Sequence, residues 1–192
     1  IYLSAYMKHE IENKRLRIIP VCKASEIKKM YEHLSIAIDE LKDNVKGKVY
    51  MLTDTDAQLL EYKTNDGLET RIICRRIVNE GNITRLVKIM ANPKSPKTDI
   101  EDALNGRLFH QVLLKFKPAN DELSFVDEQA REETSSYSTL NLRISEYEKM
   151  DLFFSKNQGK NKVLFANEYV AAMQTGQFKT PEWIDEIKRF FK

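Results

Sequence analysis

The sequence has few cysteines, almost no excess of charge and no long apolar run. Its two cysteines, Cys22 and Cys74, are too few for a disulfide scaffold or a four-cysteine zinc site. The 31 basic and 29 acidic residues leave a formal charge of +2, which argues against a polybasic surface for nucleic acid or anionic lipid. No apolar stretch approaches the roughly 20 residues that cross a bilayer. These absences predict a protein of the reducing cytoplasm without a membrane span.

The length suits a single domain. The chain has 192 residues, and a domain typically has roughly 150. A chain of this length can bury one substantial core. Apolar residues make up 42% and charged residues 31%, a profile typical of soluble globular proteins. Because the chain begins with Ile1 and enters helical periodicity at once, we expect it to be part of a longer protein.

Apolar periodicity predicts an α/β fold in the first half of the chain. The expected elements are a helix, a buried strand, a helix that follows the N-cap Ser25, and a second buried strand, over residues 1–14, 16–21, 25–41 and 49–53. This alternation is typical of parallel strands joined by right-handed crossovers. Two more strands, 72–77 and 83–90, flank a turn at 79–82 and are expected to pair as a hairpin.

The second half is predicted to be mainly helical. Helices are expected after Thr98, around Ile144 and Tyr147, from residue 159 to Gly176, and after Thr180 with Pro181 in the first position. Residues 118–136 carry six acidic residues against one arginine, which predicts a solvated insertion. We therefore expect one domain over 1–192, with an insertion at 118–158 and C-terminal helices over 159–192.

The most informative motif is Asp54-Thr55-Asp56, directly after the predicted strand 49–53. The carboxyl ends of strands are where α/β sheets place their sites. In extended geometry Asp54 and Asp56 lie on the same side, so both can address one Mg²⁺, which prefers a few carboxylate oxygens. The alternative is a polar turn that caps the strand and the next helix.

A second acidic group, Asp99, Glu101 and Asp102, lies at the start of the helix after Thr98. Glu101 stands three residues after Thr98, which is the spacing of a capping box. Asp102 has no capping role at that offset and is the better candidate for a metal ligand. Its alternative role is that of a first-turn acid favoured by the helix dipole.

A basic turn, Gly159 to Lys162, enters a late helix, where Lys160 or Lys162 could meet a phosphate or a leaving oxygen. The alternative is a solvated pair of lysines. His9, His33 and His110 have no ligand partner at i+3 or i+4, so we expect them to be structural.

In their order along the chain, several segments resemble the Toprim domain, in the version found in OLD-family (overcoming lysogenization defect) nucleases and related ATP-dependent defence endonucleases. The segments are IYLSAYMKHEI, RIIPVCKASEIKKMYEHL, VYMLTDTDA, KTDIEDALNGRLF, KVLFANEYVAAM and TPEWIDEI. The resemblance implies a Toprim-like, mainly parallel sheet flanked by helices. It also implies carboxylates that bind Mg²⁺ or Mn²⁺ and cut DNA, an ATPase domain in the same polypeptide or a partner, and a homo-oligomeric full protein with no membrane association.

The resemblance also implies residue roles. Asp54 and Asp56 match the paired aspartates, Asp102 with its neighbour Glu101 matches the later acidic ligand, and Lys162 or Lys160 matches the late lysine. Such a site hydrolyses phosphodiesters with two metal ions, one activating water and one stabilising the leaving 3′ oxygen. The expected contacts to the DNA backbone are Lys94, Lys97, Arg71 and Arg75. ATP would act only through the ATPase domain.

One part of the family pattern is absent. Toprim domains also use a glutamate in a Val-Glu-Gly-like turn before the first helix, and here that turn would lie upstream of Ile1. Glu10 and Glu12 stand at the wrong end of the helix to replace it. We therefore expect the isolated piece to lack one ligand and to have doubtful nuclease activity.

Two other functions compete with the nuclease. A haloacid-dehalogenase-like phosphatase would use Asp54 as nucleophile and Asp56 as acid. That motif normally continues with Thr or Val two residues later, where this chain has Gln58. The other competitor is a degenerate, non-catalytic Toprim module that serves dimerisation or partner docking.

Overall fold

A computed structural model of the chain describes residues 1–13, 16–21, 24–40, 47–54, 71–80, 83–88, 98–134, 137 and 141–192. It shows a mixed α/β arrangement, in which a small sheet is followed by a helical second half. In these ranges no helix combines the length and the apolar character that crossing a membrane requires.

The sheet has three strands in the order β1 (Val49–Thr53), β2 (Ile72–Glu80) and β3 (Ile83–Lys88). β1 and β2 are parallel, with Thr53 opposite Arg76, whereas β2 and β3 form an antiparallel hairpin. The predicted strand 49–53 and the pairing of a hairpin are therefore confirmed. The predicted bounds of the hairpin are wrong, because β2 runs three residues further than expected and includes Asn79 and Glu80 of the predicted turn. The described sheet contains one parallel and one antiparallel pair, so it is mixed and not mainly parallel.

The predicted strand over residues 16–21 is wrong. These residues lie outside helices and strands, and Ile19 is 71% exposed. Pro20 has no amide hydrogen to offer a neighbouring strand, which weakens any ladder at this position. The first predicted helix forms as two short helices, α1 (Tyr2–Tyr6) and α2 (Lys8–Glu12), which are interrupted at Met7.

Both faces of the sheet are covered by helices. Helix α3 (Ala24–Glu40) follows the predicted stripe, and its Tyr31 and Ile38 pack with Met51, Ile72 and Cys74. On the opposite face, α7 (Glu182–Phe191) packs its buried residues Trp183, Ile184 and Ile187 with Met7 and Ile77. Pro181 caps α7 and does not occupy its first turn, one residue later than predicted. A sheet buried on two faces leaves its strand ends as the places where polar side chains can gather.

The second half is built from α4 (Gly106–Phe116), α5 (Ile144–Ser155) and α6 (Lys160–Thr175), with short 3₁₀ segments at Lys117–Ala119, Asp121–Phe125 and Lys156–Gly159. Its core contains fully buried Phe153 and Phe165, together with Phe109. Aromatic rings meet there at centroid distances such as 4.7 Å between Phe109 and Phe165. Each such pair adds about 0.5–1.5 kcal/mol beyond its buried area.

The expectation of a solvated segment at 118–136 holds for most of its described residues, but two apolar residues depart from it. Leu123 and Val126 of this segment are buried in the helical core. Lys156 of the 3₁₀ segment after α5 also forms an ion pair with Glu122. The acidic residues Asp121, Asp127 and Glu128 lie on the outside. The count of charges therefore described the outer side of the segment and missed the two apolar residues that anchor it.

Candidate functional site

The carboxyl end of β1 lies beside the 3₁₀ turn Ile100–Ala103. Asp54 directly follows β1, while β2 continues to Glu80. Near the end of β2, the Nδ2 of buried Asn79 donates to the carbonyl oxygen of Asp102 at 2.8 Å. The backbone N–H of Asn79 donates to Thr98 Oγ1 at 3.1 Å. These two bonds attach the second acidic group to the same edge of the sheet as Asp54.

Asn79 was not predicted as a site residue, because the sequence around it indicates only a turn. Its burial and its two bonds to the acidic segment make it an anchor of the site. The signal that could have identified it is an amide side chain near the end of a predicted strand, where buried polar groups need partners.

Glu101 and Asp102 have exchanged their predicted roles. The 3₁₀ turn begins after Asp99, whose backbone N–H donates to Asp102 Oδ2 at 2.9 Å. Asp102 therefore has the capping role that was assigned to Glu101, and the predicted Thr98–Glu101 capping box is wrong. The physical reason is that the Thr98 hydroxyl is bonded to Asn79, so the turn starts one residue later. The predicted continuous helix also breaks, because Asn105 starts α4 by accepting the Leu108 N–H at 3.0 Å.

The Glu101 side chain lies against Lys162, with Oε2 3.1 Å from Nζ. The Glu101 side chain is only 6% exposed, whereas that of Lys162 is 51% exposed. Both carboxylate oxygens are buried, and apart from the ion pair of Oε2 with Lys162 neither has a hydrogen-bond partner in the part of the chain that the structure describes. Burial raises the pKa of Glu101 above its ordinary value, although Lys162 partly opposes the shift. A buried carboxylate with an unsatisfied oxygen is costly unless a cation completes it.

Lys162 connects the two acidic groups. Burial alone would lower the pKa of Lys162, but the carboxylates of Glu101, Asp99 and Asp54 together raise it above its ordinary value. Asp54 and Glu101 are far apart in sequence, yet both act on the same ammonium group. The structure thus pairs Glu101 with Lys162, and Asp54 lies close enough for its charge to act on Lys162.

The start of α6 is fixed by its neighbours. Before it, Asn157 and Gln158 have left-handed backbones with φ values of 54° and 59°, and Gly159 follows with 78°. Asn161 is buried, and its Nδ2 donates to the carbonyl oxygen of Phe153 at 3.0 Å. This turn places Lys162 against the carboxylates, whereas Lys160 is exposed. Of the two predicted lysines, the structure therefore favours Lys162.

A pocket of about 240 Å³ opens beside the Glu101–Lys162 pair. Its lining comes from the 3₁₀ turn, from α5 and from the start of α6: Asp99, Glu101, Asp102, Tyr147, Met150, Asp151, Phe154, Ser155, Gly159 and Lys162. The Tyr147 hydroxyl donates to Asp99 Oδ2 at 3.3 Å and so connects α5 to the acidic turn. Burial and the neighbouring carboxylates, Asp99 first, raise the pKa of Tyr147, so its hydroxyl remains a donor at neutral pH.

The remaining predicted residues do not join this cluster. Asp56, Lys94 and Lys97 lie outside the described residues. Arg71 precedes β2, and its carbonyl oxygen accepts from Val49 N–H at the amino end of β1. That position is roughly 17 Å from Asp54, the length of five strand residues, so Arg71 does not lie at the acidic edge.

Arg75 lies opposite Leu52, two residues before Asp54, on the face of the sheet that carries Tyr50. Its Nη1 donates to the carbonyl oxygen of Cys74 at 3.0 Å, and its charge acts on Tyr50. Tyr50 in turn packs against Phe190 of α7. Arg75 does not line the pocket beside Lys162, and its contact with DNA stays a prediction.

The donor set fits a hard divalent cation in part. Carboxylate oxygens are the ligands that Mg²⁺ prefers, and the buried Oε1 of Glu101 is available to such an ion. Within the described ranges, however, no three His, Cys, Asp or Glu side chains form a ligand group. A complete protein ligand set therefore requires Asp56 or a residue from outside these ranges.

Comparisons of the chain with protein-family models, with curated proteins and with solved structures give no significant match. Its function must therefore be inferred from the site itself.

Proposed function

We propose that this chain is a Toprim-type, Mg²⁺-dependent DNA endonuclease domain. The observation that carries the proposal is the 3.1 Å pair of buried Glu101 with Lys162, on a turn that Asn79 attaches to the end of the sheet where Asp54 follows β1. Coupling to an ATPase, a role in defence against phages, a cytoplasmic location and a homo-oligomeric full protein follow from the resemblance of the segments to OLD-family nucleases, and they belong to the same proposal.

Asp54 and Glu101 are the described residues that would hold the ion, and Asp56 is the natural third ligand by its place in the chain. Glu101 replaces Asp102 as the preferred later ligand, because the Oδ2 atom of Asp102 is engaged with the Asp99 backbone. When bound, Mg²⁺ or Mn²⁺ would supply a nucleophile from water at neutral pH and stabilise charge on the leaving oxygen.

The protein residues have separate tasks in this proposal. Lys162 has a raised pKa and is therefore protonated at neutral pH, so it acts through its charge on the phosphate and not as a base. Glu101 holds the Lys162 ammonium at 3.1 Å and presents its second oxygen to the ion. The bonds of Asn79 to the acidic segment keep the two carboxylate groups in place.

The first test is Mn²⁺ binding by the full chain, measured by electron paramagnetic resonance, so that it does not depend on cleavage. We expect Asp54→Asn and Glu101→Gln to weaken binding at least ~100-fold, the upper end of what second-shell changes cause. Lys162→Met should bind Mn²⁺ at least as tightly as the parent, because it removes a competing cation. The matched control is Glu168→Gln, because Glu168 lies on the same helix as Lys162 and forms an exposed pair of 3.2 Å with Lys115 of α4.

The second test is cleavage of plasmid and linear DNA with Mg²⁺ or Mn²⁺. Lys162→Met should reduce the rate roughly 100- to 1,000-fold without loss of Mn²⁺ affinity, as expected for a lost charge-stabilising group. Parent-like Mn²⁺ binding by both Asp54→Asn and Glu101→Gln would contradict the proposal. Trapping of phosphate on Asp54, with release of phosphate from a monoester and no DNA cleavage, would replace the nuclease by the phosphatase.

A further inference from the structure

One wall of the pocket beside Lys162 is apolar and belongs to α5. Tyr147, Met150 and Phe154 follow one another at intervals of three and four residues, so they share one face of the helix. All three line the pocket, opposite the acidic turn and Lys162. Met150 is 5% exposed and Phe154 packs on Phe165 at 5.2 Å between ring centroids, so this wall is part of the folded core.

We propose that this pocket binds the base and sugar of one unpaired nucleotide, with the nucleotide's phosphate at Lys162 and the adjacent cation site. The proposal rests on the proposed function of the acidic edge, because it names the part of the substrate that would lie next to the cleaved bond.

The size and chemistry of the pocket fit this occupant. Its volume of about 240 Å³ lies below the roughly 300–1,000 Å³ of pockets for drug-sized ligands. The Tyr147 and Phe154 rings offer flat apolar surfaces, and every nucleobase has a π-face that packs on such rings. Asp151 and Ser155, from the same helix, add an acceptor and a hydroxyl for the polar edge of a base. Lys162 is the basic residue of a lining that also carries four carboxylates, so the phosphate of the nucleotide would bind there together with the cation.

The occupant has to be unpaired. Inside a duplex a base is stacked on both faces and paired along its edge, so it reaches a side-chain ring only after leaving the stack. Leaving the stack costs least in single strands and at mismatched or frayed positions. The bond from the Tyr147 hydroxyl to Asp99 Oδ2 at 3.3 Å fixes the position of one ring relative to the acidic turn. We therefore infer a preference for single-stranded regions, ends or flaps over intact duplex.

The direct test is calorimetric binding of dAMP and of 2-deoxyribose 5-phosphate to the full chain with Ca²⁺, which supports binding without cleavage. We expect dAMP to bind roughly tenfold more tightly, the contribution of one stacked base. Tyr147→Leu should remove most of this advantage, and Tyr147→Phe should keep it because the ring remains. Phe154→Leu is a second variant that retains apolar volume. Leu152→Ala, at a 52% exposed position of α5 outside the pocket lining, is the matched control.

The second arm separates free nucleotides from nucleotides within DNA. A fluorescent single-stranded oligonucleotide should bind at least tenfold more tightly than its duplex, and Tyr147→Leu should reduce this ratio. Equal affinity for dAMP and the sugar phosphate, or an unchanged ratio in both ring variants, overturns the pocket assignment. Tight dAMP binding without single-strand preference overturns the assignment of DNA as its source.

The two proposals fail separately. Loss of the base preference together with intact, Asp54-dependent Mn²⁺ binding would overturn only the nucleotide pocket. Mn²⁺ binding that ignores Asp54 and Glu101, with the base preference retained, would overturn only the nuclease.

Discussion

Helix α6 takes part in two regions of opposite character, and comparing them shows how this chain divides stability from chemistry. Phe165 is fully buried among Phe109, Phe116 and Phe154. One turn earlier, Lys162 is half-exposed and faces carboxylates from two other segments. Packing in the aromatic core fixes the position of α6, and α6 in turn positions Lys162. The unfavourable free energy of burying the Glu101 carboxylate is therefore offset by the favourable packing of the aromatic core.

Removing an aromatic side chain from the helical core should change the stability of the protein more than any of the substitutions at the acidic edge. Phe165→Ala should lower the free energy of unfolding by about 3–5 kcal/mol, through lost burial and the cavity left behind. Urea denaturation followed by circular dichroism measures it. Leu164→Ala, at a neighbouring position that is 53% exposed, should change stability by less than about 0.5 kcal/mol. Equal losses in the two variants would show that Phe165 does not support the helix as described.

The next effect concerns the acidic edge. Mn²⁺ at 100 times its Kd should raise the free energy of unfolding of the parent chain by about 2.7 kcal/mol, because the ion binds the folded state. Glu101→Gln should show little of this gain, while Glu168→Gln should show all of it. The measurement is urea denaturation with and without Mn²⁺. A gain of the same size in Glu101→Gln would place the ion away from the edge.

A smaller effect is expected at the anchor between the two acidic segments. Asn79→Ala removes the bonds to Asp102 and Thr84, at 2.8 and 3.0 Å, from a position that is 1% exposed. It should cost about 1–3 kcal/mol, the usual price of unpaired buried partners. It should also weaken Mn²⁺ binding, because the turn that carries Glu101 loses its attachment.

The control for this anchor is Thr84→Val, which removes only the bond between side chains. Thr84→Val should leave Mn²⁺ affinity close to that of the parent. An Asn79→Ala protein that is destabilised but binds Mn²⁺ normally would show that Asn79 serves the fold and not the site.

The sequence predicted the elements whose apolar pattern is local, but not the burial that depends on distant parts of the chain. Local periodicity was sufficient for β1, for the hairpin and for α3, because each carries its pattern within a few residues. It failed at residues 16–21, where an apolar run is only partly buried and forms no strand, because strand formation depends on tertiary neighbours. At 118–136 the charge pattern was right for the exposed acidic residues but missed the buried Leu123 and Val126.

The sequence predicted several residues of the site but not how their side chains are arranged. The carboxylates after β1 and in the second acidic group were identified from their place in the chain, as was Lys162. The exchange between Glu101 and Asp102 was not predictable, because it depends on a tertiary bond from Asn79 that occupies Thr98. A shift of one residue in the start of a turn decides which carboxylate faces the pocket.

A weaker effect should be the change in the free energy of unfolding with pH that the buried Glu101 carboxyl causes. Burial raises the pKa of Glu101 in the folded state above its ordinary value of 4.5, so the folded chain binds this proton more tightly than the unfolded chain. The contribution of Glu101 to stability therefore falls as pH rises from about 4.5 through the raised value, by no more than one proton's slope of about 1.4 kcal/mol per pH unit. Urea denaturation across this window should show the parent losing stability relative to Glu101→Gln. A difference that grows in favour of the parent as pH rises would mean that Lys162 outweighs burial and holds Glu101 charged without any added cation.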